Sequence, residues 1–404
     1  MNLREAEAYL LDLELFGMRF GLDRMHKLMT VLGMPQRRFA SIHVVGSNGK
    51  SSTTRMIAAI LERHGIRTGT YTSPHLRSFA ERIEIGERPL DDGAFGAAVE
   101  RVARAARLVD RTLDEDDRVT LFEALTAAAY SVLARRGVEV AVIEAGLGGR
   151  YDATNVIPSK VQVLTGVGLE HTRWLGPTIA DIADEKLAVV RDHATLVAGA
   201  LDPEAEAVAE RVVAERHARF VRAPAAGAFQ RRNFAVARAA AEAFFGELDS
   251  DAVRRAAEEV KVPGRLQLMS ESPLTVHDGA HNPSGARALA EALPEVVGDR
   301  RPLVAVIAIL DDKDAAAMLR ELTPSLDHVV FTHSAHPRSL PPATLLTLNE
   351  QLGGPPGEVV GDARTAVERA TALAGPDGAV LATGSIYLIA ELVRDEGAER
   401  ASAL

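Results

Sequence analysis

The stretch HVVGSNGKSSTTRMIAAIL sets a β-rich run, a glycine turn, one lysine and a helical pattern in immediate succession. Gly46 and Gly49 permit tight turning, and the backbone N–H groups of Gly46, Ser47, Asn48, Gly49, Lys50, Ser51 and Ser52 can face an anion at a helix start. Lys50 can place its charge on the β- and γ-phosphates of a nucleotide, and the hydroxyl of Ser51 or Ser52 can serve magnesium. The general phosphate-loop pattern would put its first glycine at Val44, so the match is to a shorter variant, not to an ordinary GTPase or kinase loop. A glycine turn that merely caps a helix with serine is the bland alternative. The order strand, loop, lysine, helix weighs against it.

Other candidates stand at or just beyond expected strand ends, where open α/β sheets bind ligands. Glu144 closes the run VEVAVIE. Its carboxylate suits magnesium, which keeps several waters and uses few protein carboxylates; an acid capping the glycine-rich turn that follows explains it equally well. His171 ends KVQVLTGVGLEH, where a hydrogen-bonded structural histidine is commoner than a ligand. Lys186, in ADEKLAVV, reads by itself as half of a Glu–Lys pair on a solvated helix. Arginine dominates the basic residues and only six lysines occur, at 27, 50, 160, 186, 261 and 313. A lysine kept in such a chain points to a role needing a compact ammonium or a reactive amine. In HDGAHNP, Asp278 and Asn282 precede a helix whose first turn Pro283 fits, so capping is one role open to them.

The elements that must hold these groups follow from periodicity. Runs at 41–46, 68–71, 138–146 and 160–168 read as buried strands, with helices at 52–64 and 121–135. The second half repeats the pattern with strands at 274–280, 303–310, 327–333 and 378–384 and helices at 283–293 and 314–322. Alternating strands and helices predict an α/β fold with parallel-rich sheets covered on both faces, the second a smaller doubly wound, Rossmann-like domain. Pro263-Gly264 breaks structure between a charged helix and the next strand, dividing the chain into 1–262 and 263–404; the rival linker is 222–228.

With 404 residues the chain can bury a large core, and its apolar fraction of 47% is ordinary for a globular protein. The absence of cysteine excludes disulfides, thiolate metal sites and a thiol nucleophile. A net charge of −10 argues against nucleic acid as a partner. No apolar run is long enough for a membrane span, and the N-terminal MNLREAEAYLLDLELF reads as an amphipathic helix, not a signal peptide. A cytoplasmic protein is expected.

GSNGKSS resembles, with two substitutions, the Gly-Thr-Asn-Gly-Lys-Gly-Ser loop of the folylpolyglutamate synthase/dihydrofolate synthase family within the Mur ligase superfamily. The resemblance continues through TSPHLRSFAERI, LFEALTAAA, EAGLGGRYDATN, GLEHTRWLG and ADEKLAVV, and returns at PGR, DGAHNP, PRSL and TGSIYL, in family order. It implies an ATP-dependent ligase that adds L-glutamate to dihydropteroate or to the γ-carboxylate of a folate through an acyl phosphate. Glu144 and Ser73 would hold one magnesium ion and His171 a second. Lys186 would be carbamylated, which requires a neutral amine. Asn233, Arg265, Asp278 and His281 would face ATP. Thr120, Phe122, Asp152 and Ala153 would receive the pterin, Phe122 by stacking and Asp152 by hydrogen bonding. Arg338 and Ser385 would serve the glutamate. A monomer whose domains close over the reactants is the simplest expectation.

Beyond the Ser47 substitution, the chain departs from the family pattern in four places. Ser51 replaces a loop glycine, Glu170 stands where Asp is usual, His277 replaces an apolar residue, and 200–230 is short. These leave room for a Mur-type ligase with a divergent acceptor, or for a non-catalytic ATP-binding relative. The second would be expected to have lost Lys50, Glu144 or His171, and all are present.

Overall fold

A computed structural model describes residues 1–14 and 19–394. It divides into two compact units, Met1–Lys261 and a second beginning at Val262. Residues 222–228, the rival linker, run between a strand and a helix inside the first unit.

The strands of the first unit are β1 (Ala40–Val45), β2 (Thr68–Tyr71), β3 (Ile83–Ile85), β4 (Arg88–Pro89), β5 (Val140–Glu144), β6 (Val161–Leu164), β7 (Thr195–Ala198) and β8 (Arg219–Arg222). They form one eight-stranded sheet in the order β4-β3-β2-β5-β1-β6-β7-β8. The six from β2 to β8 in that order are parallel; at the other edge β3 pairs antiparallel with both β2 and β4. Every residue of β5 is buried, as expected of a strand covered on both faces.

The helices are α1 (Leu3–Glu14), α2 (Asp23–Val31), α3 (Lys50–Glu62), α4 (Asp92–Asp110), α5 (Leu121–Arg135), α6 (Thr172–Leu175), α7 (Ile179–Leu187), α8 (Pro203–Glu215), α9 (Phe229–Phe245) and α10 (Ser250–Glu259). The last two residues of the expected N-terminal helix, 15 and 16, lie outside the described residues. Helix α5 occupies the predicted span because Thr120 and Glu123 close a reciprocal capping box at its start. Tyr71, Phe95, Val99, Leu125 and Ile143 knit α4 and α5 to the sheet. Val45, Leu164, Leu187 and Leu196 do the same beneath α7 and α8.

The second unit contains β9 (Gln267–Glu271), β10 (Leu274–His277), β11 (Leu303–Ile307), β12 (His328–Phe331), β13 (Gly357–Val359) and β14 (Ala379–Thr383). Their order is β13-β12-β11-β14-β10-β9, parallel except for β9. Helices α11 (Pro283–Val297), α12 (Ala315–Leu322), α13 (Pro342–Gln351), α14 (Ala363–Ala374) and α15 (Ile386–Val393) complete it. Leu289, Ile307, Leu319, Phe331 and Leu381 lie in its separate core.

Several expected strands end early, and the reason is chemical. The run 160–168 is strand only to Leu164, because Thr165, Gly166 and Gly168 hydrogen-bond the glycine loop after β1. The run 274–280 ends at His277, where Asp278 begins to bind backbone N–H groups of neighbouring turns.

Candidate active site

β2, β5, β1 and β6 are parallel neighbours, so their carboxyl ends open along one edge of the sheet. From these ends come Ser73, Glu144, the loop 46–49 and the segment 165–170. Sequence positions far apart are thus made adjacent by strand order, the usual origin of a ligand site in an open α/β sheet.

The loop is moulded by close contacts. Gly46 has φ +146°, and a Cβ there would stand 2.0 Å from the Thr165 hydroxyl oxygen. That hydroxyl donates to the Asn48 carbonyl at 2.6 Å. Ser47 N–H donates to Gly166 O at 2.9 Å, and Ser47 Oγ accepts from Gly168 N at 3.0 Å. Gly49 has φ +82° and is overlain by Asn233 of α9, whose Oδ1 would lie 2.5 Å from an added Cβ. Only glycine suits such a position. Asn233, expected on the nucleotide side, is therefore at the loop. α3 starts at Lys50, two residues earlier than expected, and the Lys50 ammonium curls back to donate to Gly46 O at 3.0 Å and Ser47 O at 3.2 Å.

Glu144 is only 2% exposed. Its Oε1 accepts from Ser51 Oγ at 3.0 Å and its Oε2 from Ser73 N–H at 3.1 Å. Lys50, Ser51, Ser73 and Glu144 are thus brought together, while Ser52 is buried within α3. Glu144 does not brace the glycine turn that follows it; Asp152 does. Asp152 Oδ2 accepts from Gly146 and Leu147 N–H at 2.9 and 3.0 Å, and Oδ1 from Thr154 N–H at 3.0 Å and from the Thr154 hydroxyl. Burial raises the Asp152 pKa against these bonds. Both oxygens of Asp152, the residue expected to hydrogen-bond the pterin, thus brace this turn.

Among the described residues no three Asp, Glu, His or Cys side chains form a metal-binding group. Magnesium does not require one: a single carboxylate with hydroxyls, water and phosphate oxygens suffices. The buried Glu144 carboxylate, with the Ser51 hydroxyl on one oxygen and Ser73 held by its backbone N–H at the other, fits that donor set.

Lys186 is 2% exposed, so the solvated-helix reading fails. Its ammonium donates to Gly46 O and to Glu170 Oε1, both at 3.0 Å. Burial lowers its pKa and Lys50 adds to this, while Glu170 opposes. Burial would raise Glu170, but Lys186, Lys50 and His171 outweigh it and hold that carboxyl well below its ordinary value. Sequence reasoning treated Glu170 only as a departure; its pairing with Lys186 needed the strand order to appear. His171 is exposed, with φ +49°, and leads into α6.

Phe122 lies against Gly146, its ring 2.6 Å from where a Cβ would stand, and 6.1 Å from the Tyr71 ring. The Thr120 hydroxyl serves the α5 capping box, and Ala153 is buried in the short turn after Asp152. Outside the turn, Phe20, Tyr151 and Trp174 form an exposed aromatic cluster, with ring centroids 6.2 and 5.6 Å apart across Phe20. Sequence reasoning did not anticipate this cluster, whose members come from three separate segments.

In the second unit, Asp278 is 3% exposed and accepts from Leu266 N–H at 2.9 Å and Ala280 N–H at 2.8 Å. Burial raises its pKa and Arg265 lowers it. Arg265 lies over Gly279, Nη1 2.7 Å from a would-be Cβ, and His281 Nδ1 is 2.9 Å from Gly279 O. The helix cap is Asn282, whose Oδ1 accepts from Gly285 N–H at 2.8 Å; Asp278 instead ties the PGR segment to the turn. Arg265, Asp278 and His281 are therefore neighbours. Arg338 and Ser385 sit on other loops: Arg338 is 3.5 Å from Asp312, and the Ser385 hydroxyl accepts from Tyr387 N–H to cap α15.

A phosphate-loop unit with a parallel-rich sheet, followed by a doubly wound unit, defines a Mur-type ligase. Residues 44–268 match the Mur ligase middle domain and residues 264–386 the Mur ligase glutamate ligase domain. The dihydrofolate synthase/folylpolyglutamate synthase of Mycobacterium tuberculosis is 36% identical, over 87% of this chain and 82% of its own. The folylpolyglutamate synthase of Lacticaseibacillus casei is 34% identical, over 96% and 97%. A Mycobacterium tuberculosis folylpolyglutamate synthase solved with ADP superposes with a TM-score of 0.88, at 34% identity, covering 96% of this chain and 98% of that one. The chain belongs to the folylpolyglutamate synthase/dihydrofolate synthase family and is an ATP-dependent glutamate ligase. No described helix is long and apolar enough to cross a membrane.

Proposed function

We propose that the chain forms an amide between the amino group of L-glutamate and a carboxylate of dihydropteroate or a folate, through an acyl phosphate made at the carboxyl ends of β1, β2 and β5. One contact set carries this reading: the Lys50 ammonium folded onto the loop, beside a buried Glu144 carboxylate held by Ser51 and Ser73.

The acceptor carboxylate attacks the γ-phosphate of ATP and ADP leaves, a step that brings together two anions that repel in water. Lys50 and the loop N–H groups offset the charge on the transferring phosphoryl group. The glutamate amine then attacks the acyl carbon and phosphate leaves, so no enzyme nucleophile is needed. Magnesium, when held by Glu144 and Ser73, supplies further positive charge to the phosphates. Phe122, with Thr120 and Ala153, lines the pterin side. Arg265, Asp278 and His281 serve the nucleotide, and Arg338 and Ser385 the glutamate.

Carbamylation of Lys186 would stand an anion beside Glu170, 3.0 Å from the present ammonium. In that form Glu170, His171 and the modified Lys186 would be the residues to hold a second magnesium ion, which would offset the added negative charge. Intact mass in bicarbonate and magnesium should rise by one carbon dioxide, and the gain should vanish in Lys186→Arg.

The reading is tested by incubating the protein with ATP, magnesium and glutamate, and with dihydropteroate or tetrahydrofolate in turn. Phosphate release matched by a product one glutamyl residue heavier is expected. ATP binding with no amide product from either acceptor would defeat it.

A further inference from the structure

We propose that Ser51 is a positioning residue for Glu144. The proposal rests on the reading of Glu144 as the metal-side carboxylate, and on the contacts its carboxylate makes in this chain. Ser51 stands where the resembling family loop has glycine, which offers no side-chain donor.

The Glu144 carboxylate is clamped at two points. Ser51 Oγ, from the start of α3, donates to Oε1 at 3.0 Å, and Ser73 N–H, from beyond β2, donates to Oε2 at 3.1 Å. A donor on each oxygen restrains the carboxylate plane, whereas the terminal torsion of a glutamate is otherwise broad. At 2% exposure the group has little access to water that could replace a lost donor. Lys50, the preceding residue, has its ammonium turned onto the Gly46 and Ser47 carbonyls. Ser51 therefore holds Glu144 aimed at the loop before a metal-bound triphosphate arrives, and that preorganisation is its contribution to the reaction.

The test uses the full chain with Ser51→Ala, Ser51→Gly and Ser51→Thr, each also combined with Glu144→Gln. Binding of a non-hydrolysable ATP analogue is measured calorimetrically in magnesium and again in EDTA, alongside kcat and KM for MgATP. In magnesium, Ser51→Ala and Ser51→Gly should weaken binding roughly tenfold, the size expected for one hydrogen bond to a charged group. In EDTA they should bind like the parent. Ser51→Thr should restore binding in magnesium, and Ser51→Ala should cost nothing further beside Glu144→Gln. Unchanged affinity in magnesium, an equal loss in EDTA, or a loss that persists beside Glu144→Gln would overturn the proposal. If the parent chain itself binds the analogue equally with and without magnesium, the metal-side reading of Glu144 falls as well.

Discussion

His43 lies wholly buried on β1, with Nε2 2.8 Å from the Thr154 hydroxyl oxygen. Because that hydroxyl donates to Asp152, the imidazole must be the donor and is neutral with its proton on Nε2. Among the described residues its Nδ1 has no hydrogen-bond partner. Burial, aided by Arg191, lowers its pKa to about 3 from an ordinary 6.5. The unfolded chain then takes up this proton first. The stabilisation is complete above the ordinary value and is lost as pH falls towards the folded one, by about 2 kcal/mol at pH 5. Urea unfolding of His43→Leu should show a flatter loss between neutral pH and pH 5 than the parent. Glu170, also depressed, acts in a lower window that begins only below its ordinary value of 4.5. Replacing it by glutamine strands the buried Lys186 ammonium and should cost about 3 kcal/mol in the same assay. At the loop, Lys50→Met should lower kcat by roughly a hundredfold or more in phosphate-release assays.

At the scale of elements, the glycine loop and α9 are locked together by one residue pair. Gly49→Ala forces a Cβ against Asn233 and strains a backbone at φ +82°. It should destabilise the protein by about 1–3 kcal/mol, and Asn233→Ala in the same chain should recover part of that in thermal melts. Thr120→Ala breaks the α5 capping box and should cost about 1 kcal/mol. The elements around the site were mostly legible: the apolar runs of β1, β5, β11 and β14 and the span of α5 could be read from periodicity and caps. The short strands β3, β4, β8 and β13 were not, because two to four partly polar residues carry no clear period. Within the site, Lys50 was visible through its loop, whereas the Lys186–Glu170 and Ser51–Glu144 pairs depend on which strands become neighbours. The capping offered for Asp278 fell to Asn282, and the turn-bracing offered for Glu144 fell to Asp152. A short polar side chain beside a turn looks the same in sequence whichever backbone N–H it finally meets.

At the scale of the whole molecule, each unit has its own sheet and its own buried cluster. The segment joining them carries Lys261, exposed and outside any helix or strand. Of the other lysines, Lys186 is buried, Lys27 is held in α2, and Lys160, though exposed, has its backbone tied to Ser41 and Thr195. A lysine-specific protease should therefore cut first after Lys261 and leave two resistant fragments on a gel. Early cleavage at Lys160 instead would show that the first unit opens before the connector does.

The exposed aromatic cluster has an optical consequence. Trp174 is the sole tryptophan of the chain and is 43% exposed, with the Arg173 guanidinium 5.0 Å from its ring centre. Excited at long wavelength, the protein emits from a single indole a short way past His171, on the rim of the segment that follows β6. That emission is expected to be red-shifted and open to acrylamide. A molecule that settles over the ring will change that emission, and the protein carries its own unlabelled dye for titrations.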